Sequence, residues 1–175
     1  MNNLNLKNIA ENLLDTFIEA GSVAKKISKD GVKIIIKDDN SPVTNGDIAV
    51  DKMLRQKIST LTEDIPIISE ETVDLKVKNV NKNFWLIDPI DGTKDYIKKG
   101  DEYTLNACLV IDLKPALGLV YAPEKDRLFY SYGKGMAFEI CNGKKMILNC
   151  SKKNTQEIIA LINSDSTPKE RHSFL

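Results

Sequence analysis

Residues 84–97 read FWLIDPIDGTKDYI. Phe84 to Ile87 is an uncharged run of aromatic and aliphatic side chains, the composition of a buried strand. Asp88 follows it directly, so the first charge emerges where the core gives way to a cleft. Pro89 fixes φ and removes a backbone donor, which predicts that the strand stops at Asp88 and the chain turns at once. Asp91 then points back to the same cleft. Gly92 permits close backbone approach, and Thr93 offers a hydroxyl and an N–H at the start of a short helix reaching Ile97. The stretch predicts two carboxylates at a strand end, beside a cradle suited to a phosphate.

Upstream of this stretch the chain reads as helical. Leu6, Ile9, Leu13, Phe17, Gly21 and Ala24 recur every three or four positions with Asn, Glu and Lys between them, predicting a helix to about Ile27 with one buried face. KDDNSPVTNGD, residues 37–47, has a turn composition and reads as a loop. Asp47 is placed to cap or begin a second helix, whose apolar positions are Val50, Leu54, Ile58 and Leu61. Short β-rich runs follow at Ile65–Ser69, Phe84–Asp88, Tyr103–Ile111, Ala116–Tyr121 and Arg127–Tyr132, the last three forming a meander. SYGKGMAF, residues 131–138, contains G-x-G but lies between strands and reads as a hairpin turn. The expected fold class is α+β, with two N-terminal helices packed on a largely antiparallel sheet.

Composition narrows the function. The 175 residues suit one domain with a real core. Lys plus Arg and Asp plus Glu number 25 each, so no global field steers the chain to nucleic acid or an anionic membrane. The N-terminus lacks the basic head and apolar core of a signal peptide, and no apolar run approaches spanning length. The three cysteines, Cys108, Cys141 and Cys150, show no C-x-x-C spacing and read as reduced thiols of a cytosolic protein. The single histidine, His172, reads as a solvated tail residue, which argues against a zinc centre.

Two carboxylates as close as Asp88 and Asp91 need a shared proton, a basic partner or a cation. The economical choice is Mg²⁺, which takes a few carboxylate oxygens and completes its shell with water and substrate phosphate. PIISEE, residues 66–71, brings a second apolar run to a similar end at Glu70 and Glu71. If the two strands lie side by side, Glu70 joins Asp88 and Asp91 in a triad suited to metal-assisted phosphoryl transfer to water. Taken alone, each segment also reads as an ordinary turn or a solvated strand end.

DNSPVTNGD, PIISEE, WLIDPIDGTKDYI and LGLVYAPEKDRLFYS, in that order, resemble the lithium-sensitive, magnesium-dependent phosphatases of the inositol monophosphatase superfamily. DGTKDYI is most similar to the D-G-T-K-E-F of the CysQ-like 3′(2′),5′-bisphosphate nucleotidases. The resemblance implies metal ligation by Glu70, Asp88, the Ile90 carbonyl and Asp91, and activation of the attacking water by Asp47 and Thr93. Substrate phosphate would be bound by Glu70, Gly92 and Thr93, with a loop contribution from Lys37 and Asp39. The implied reaction converts adenosine 3′,5′-bisphosphate to AMP and phosphate in sulfur metabolism, with an inositol phosphate as the alternative substrate. Family members in bacteria are cytosolic, some peripheral on the inner membrane face.

The sequence departs from the family pattern in two ways. Gly46, preceding Asp47, is expected to weaken the start of the second helix by about 1 kcal/mol. The family's W-D-x-A-x-G segment has no counterpart, since Trp85 is the only tryptophan and Leu86 follows it. The resemblance thus implies a truncated domain, with a metal-binding N-terminal subdomain over about 1–150 and 151–175 beginning a C-terminal subdomain. Ile158 to Asn163 would then be a strand with an exposed edge, served by a complementary chain or by self-association. An inactive module that only binds metal and phosphate is the remaining alternative.

Overall fold

The computed structural model describes residues 4–37, 41–71 and 81–149. Cys150, the strand expected over 158–163, and His172 lie outside these residues, as does Asp39.

The first helix, α1 (Leu6–Asp30), starts where the Asn5 side chain accepts from the Asn8 N–H at 3.0 Å. It runs nearly a turn past the expected end at Ile27, and Gly31 terminates it at φ 128°. Ile9, Leu13, Phe17, Ala20 and Ala24 form its buried face. The second helix, α2 (Asn45–Leu61), buries Val50, Leu54 and Ile58. Its cap is Thr44, and Asp47 is the third helical residue: the Thr44 hydroxyl accepts from the Asp47 N–H while the Asp47 carboxylate accepts from the Thr44 N–H.

The segment read as a loop includes a short strand, β2 (Pro42–Thr44), which pairs antiparallel with β1 (Ile34–Ile36) just before that segment. Its turn-forming residues concealed the pairing, because the Ile-Ile-Ile run is exposed and shows no alternation of burial.

Among the described residues the main sheet has seven strands in sequential order: β3 (Ile67–Ser69), β4 (Phe84–Asp91), β5 (Thr104–Ile111), β6 (Lys114–Ala122), β7 (Arg127–Tyr132), β8 (Ala137–Cys141) and β9 (Lys144–Ile147). Only β3 and β4 run parallel, with Ile67 opposite Trp85 and Ser69 opposite Ile87. The remaining neighbours are antiparallel. The 133–136 connection is the expected hairpin turn, with Gly133 and Gly135 both at positive φ. β8 and β9 were not expected; all four residues of β9 are exposed, and Lys145 is held over the rings of Phe138 and Tyr130 at 4.5 and 5.3 Å.

Alternation places Trp85, Ile87, Leu105, Leu109, Leu119, Tyr121 and Leu128 on the sheet face that packs against α1 and α2. Each fully buried large apolar side chain contributes about 1.5–3 kcal/mol relative to exposure. The aromatic members also satisfy their polar atoms, Trp85 Nε1 donating to Thr62 Oγ1 at 2.9 Å and Tyr96 Oη to the Ala24 carbonyl at 2.8 Å. The opposite face carries Leu86, exposed, and two residues farther along, Asp88.

Gly46 does not act as a helix weakener. A Cβ there would lie 2.5 Å from Tyr96 Oη and 2.8 Å from its Cε1, and Tyr96 is fully buried. The glycine admits the ring that ties α1, α2 and the short helix after β4 together, so packing overrides propensity.

Candidate active site

β4 does not stop at Asp88. It continues to Asp91, with a register irregularity between the two aspartates: Asp88 faces Asn106 of β5 and Asp91 faces Thr104. Pro89 is accommodated because a strand tolerates a missing N–H where its ladder is interrupted. The interruption also resolves a problem of spacing, since residues three apart in a regular strand face opposite ways. Here Pro89 and Ile90 are buried, and Asp91 returns to the side of Asp88, within 3.2 Å of Asn106 Nδ2.

Gly92 follows at φ 95°, where L side chains are strained, and a Cβ would lie 2.9 Å from the Glu102 carbonyl oxygen and 3.3 Å from Tyr103 Cα. Both conformation and space demand glycine. The helix α3 (Thr93–Ile97) then anchors the segment through Tyr96, whose ring meets Tyr103 edge-on at 4.9 Å. Thr93 donates its hydroxyl to the Ile90 carbonyl at 3.1 Å.

The parallel pairing of β3 with β4 extends one step beyond the strand, the Glu70 N–H donating to the Ile87 carbonyl at 3.0 Å. Glu70 therefore stands beside Asp88, its side chain 53% exposed. The neighbouring Glu71 is 9% exposed and ion-paired with Lys37 Nζ at 2.9 Å, while Glu70 Oε1 is 4.0 Å from the same nitrogen. Burial pushes the Glu71 carboxyl up and Lys37 opposes the shift.

Asp88 is the electrostatic centre. Burial first, then the charges of Glu70 and Asp91, push its pKa up to about 7, with a smaller contribution from Asp47. Its Oδ1 is buried and has no hydrogen-bond partner, and the same is true of Asn106 Oδ1 on the facing strand. Asp47 is 1% exposed; its Oδ2 accepts from the Thr44 N–H at 2.8 Å and the Thr44 hydroxyl at 2.5 Å, and burial raises its pKa. Its charge adds a small upward push to Asp88. No hydrogen bond joins Asp47 to Thr93 among the described residues.

The fold thus brings Asp47, Glu70, Asp88, Asp91 and Lys37 together. Among the described residues, no three acidic, His or Cys side chains converge into a finished cation cage. The four carboxylates nevertheless suit a hard divalent cation: all their donor atoms are oxygens, and one of them, Asp88 Oδ1, is buried without a partner. Asn106 was missed in the sequence. Its signal was an amide, poorly suited to strands, at a polar step in an otherwise apolar β5.

Residues 4–174 match the family model described as the inositol monophosphatase family. The chain belongs to the inositol monophosphatase family. A 3′(2′),5′-bisphosphate nucleotidase CysQ of Escherichia coli O6:H1 is 39% identical over 146 residues, which are 81% of this chain and 59% of that protein. Among solved structures, CysQ from Bacteroides thetaiotaomicron is 24% identical with a TM-score of 0.65, covering 98% of this chain and 69% of its own. A staphylococcal inositol monophosphatase is also 24% identical, with a TM-score of 0.68, covering 81% and 53%. Both structural likenesses establish the α+β fold of helices on a mixed sheet. The chain spans 59% and 64% of the length of two Escherichia coli relatives. No helix among the described residues is long and apolar enough to cross a membrane.

Proposed function

We propose that the chain carries the metal- and phosphate-binding part of a Mg²⁺-dependent phosphomonoester hydrolase that converts adenosine 3′,5′-bisphosphate to AMP and phosphate in the cytoplasm. The observation that carries this reading is Asp88, whose buried, unpaired Oδ1 lies beside two further carboxylates in a family of phosphatases. The substrate class is supported by the name of the relatives that share 36–39% identity with the chain.

In this reading Asp88, Asp91, Glu70 and the Ile90 carbonyl hold Mg²⁺. The bound ion supplies Lewis-acid stabilisation of the charge that develops on the phosphoryl oxygens. Gly92 lets the backbone come close to the phosphate, which Thr93 and Glu70 help to bind. Asp47 accepts a proton from the attacking water at Oδ1, because both hydrogen bonds from Thr44 end on Oδ2. Its raised pKa makes it a stronger base than an exposed aspartate. Thr93 orients that water once its hydroxyl leaves the Ile90 carbonyl. Lys37, held by Glu71, supplies positive charge at the rim of the cleft, and Asp39 belongs to the same loop.

A second reading is favoured by the fraction of its relatives that the chain spans. A complementary chain or a second copy would complete the enzyme. Alone, the chain would then bind metal and phosphate without turnover.

The test is phosphate release from adenosine 3′,5′-bisphosphate and from inositol 1-phosphate with Mg²⁺, with and without Li⁺, beside Asp88→Asn. Li⁺-sensitive release from the nucleotide that the substitution removes is the expected result. Preference for the inositol ester would replace the substrate. A folded sample that binds Mg²⁺ but releases no phosphate would favour the second reading.

A further inference from the structure

Two of the acids at the cleft are held in different ways. Glu71 is neutralised by Lys37 at 2.9 Å, whereas Asp91 is held only by an amide, Asn106 Nδ2 donating to its Oδ2 at 3.2 Å. An ammonium partner competes with a cation for the carboxylate; a neutral donor fixes the carboxylate and leaves its charge available. Asn106 also faces Asp88 across the β4–β5 pair, and the two residues present the buried, unpaired Oδ1 atoms there. Turning the amide over would set its oxygen against the Asp91 carboxylate, so donation to Asp91 is the favourable orientation.

Resting on the metal-dependent reading above, we propose that Asn106 is a positioning residue that holds Asp91 in register with Asp88 and so sets the affinity of the site for a divalent cation. The arrangement follows from the interruption in β4. Asp91 lies past the register shift, and the side chain of Asn106, the β5 residue that faces Asp88, reaches across the shift to hold it.

The experiment is a calorimetric titration of the full chain with Mg²⁺, paired with thermal unfolding in EDTA, for the wild type, Asn106→Ala, Asn106→Val and Asp91→Asn. Val keeps strand propensity while removing the amide, so it serves if the Ala variant does not fold. The expected result is Mg²⁺ binding weakened about tenfold or more in both Asn106 variants, with the metal-free melting temperature little changed. Wild-type Mg²⁺ affinity in the Asn106 variants, with binding lost in Asp91→Asn, overturns the proposal and leaves the metal-dependent reading intact. A purely structural asparagine would lower the metal-free melting temperature and leave affinity unmoved, which also overturns it. Absence of Mg²⁺ binding by the wild type overturns the metal-dependent reading and this inference with it.

Discussion

The two faces of β4 follow opposite rules. On the helix side, Trp85 and Ile87 are buried, and Trp85's one polar atom has a partner in Thr62. Tyr96, Tyr103 and Tyr121 likewise direct their hydroxyls to the Ala24 carbonyl, Glu124 and Asp126. On the other side, Asp88 and Asn106 bury oxygens with no partner, and carboxylates crowd one another. A satisfied polar group in a core costs little, whereas an unsatisfied one costs about 1–3 kcal/mol. One face of the strand is arranged for stability, and the other leaves buried oxygens without partners.

The comparison breaks first at Trp85. Trp85→Ala should destabilise the chain by about 3–5 kcal/mol, because it opens a cavity and strips Thr62 of its partner. Urea unfolding measures the change; a cost no larger than that of an exposed site would mean that β4 is not the sheet's anchor.

Asp88→Asn should act the other way. It should lower phosphate release at least about a hundredfold, at or beyond the effect of losing a residue that only supports a ligand. The same variant should unfold no more readily than the wild type in EDTA, because a repelled buried charge is gone. Activity and melting temperature falling together would mean that Asp88 is structural.

Gly46→Ala should cost about 1–3 kcal/mol through overpacking against Tyr96, despite alanine's better helix propensity. Stabilisation on thermal unfolding would show that Tyr96 can yield. A Gly46→Ala, Tyr96→Ala double variant should cost less than the sum of the two single changes.

The last prediction is a slope with pH. Asp88 in the metal-free fold holds its proton to about pH 7, against an ordinary value of 3.8. Between those values the folded chain binds a proton that the unfolded chain has released, so this group's contribution makes stability fall as pH rises from about 4 to about 7, then level off. Melting in EDTA at pH 5 and pH 8 should show a smaller loss for Asp88→Asn than for the wild type. Equal slopes would locate the titration elsewhere.

Much of this division was legible in the chain. The apolar stripes of α1 and α2 have long periods, and Ile67–Ser69 beside Phe84–Ile87 had only to pair for Glu70 to meet Asp88. The parts that escaped depend on contacts distant in sequence. β9 is an exposed Lys-rich strand held by its neighbour and by Lys145 against two rings. Gly46 looks like a helix defect until Tyr96, fifty residues later, fills the space. Asn106 means little in isolation, and its role comes from facing Asp88. The continuation of β4 past Pro89 was missed because proline commonly ends strands, whereas here it occupies an interruption.

That interruption has an evolutionary corollary. Substitution at Pro89 or Ile90 alters packing locally, but deletion of either would leave one residue, not two, between Asp88 and Asp91 and would turn Gly92 and the segment after it relative to β4. A lost codon here is therefore a different kind of lesion from a changed one. Lineages that keep the chemistry should vary the letters between the two aspartates more freely than their number, and a comparison of lengths at this point would separate functional descendants from relics.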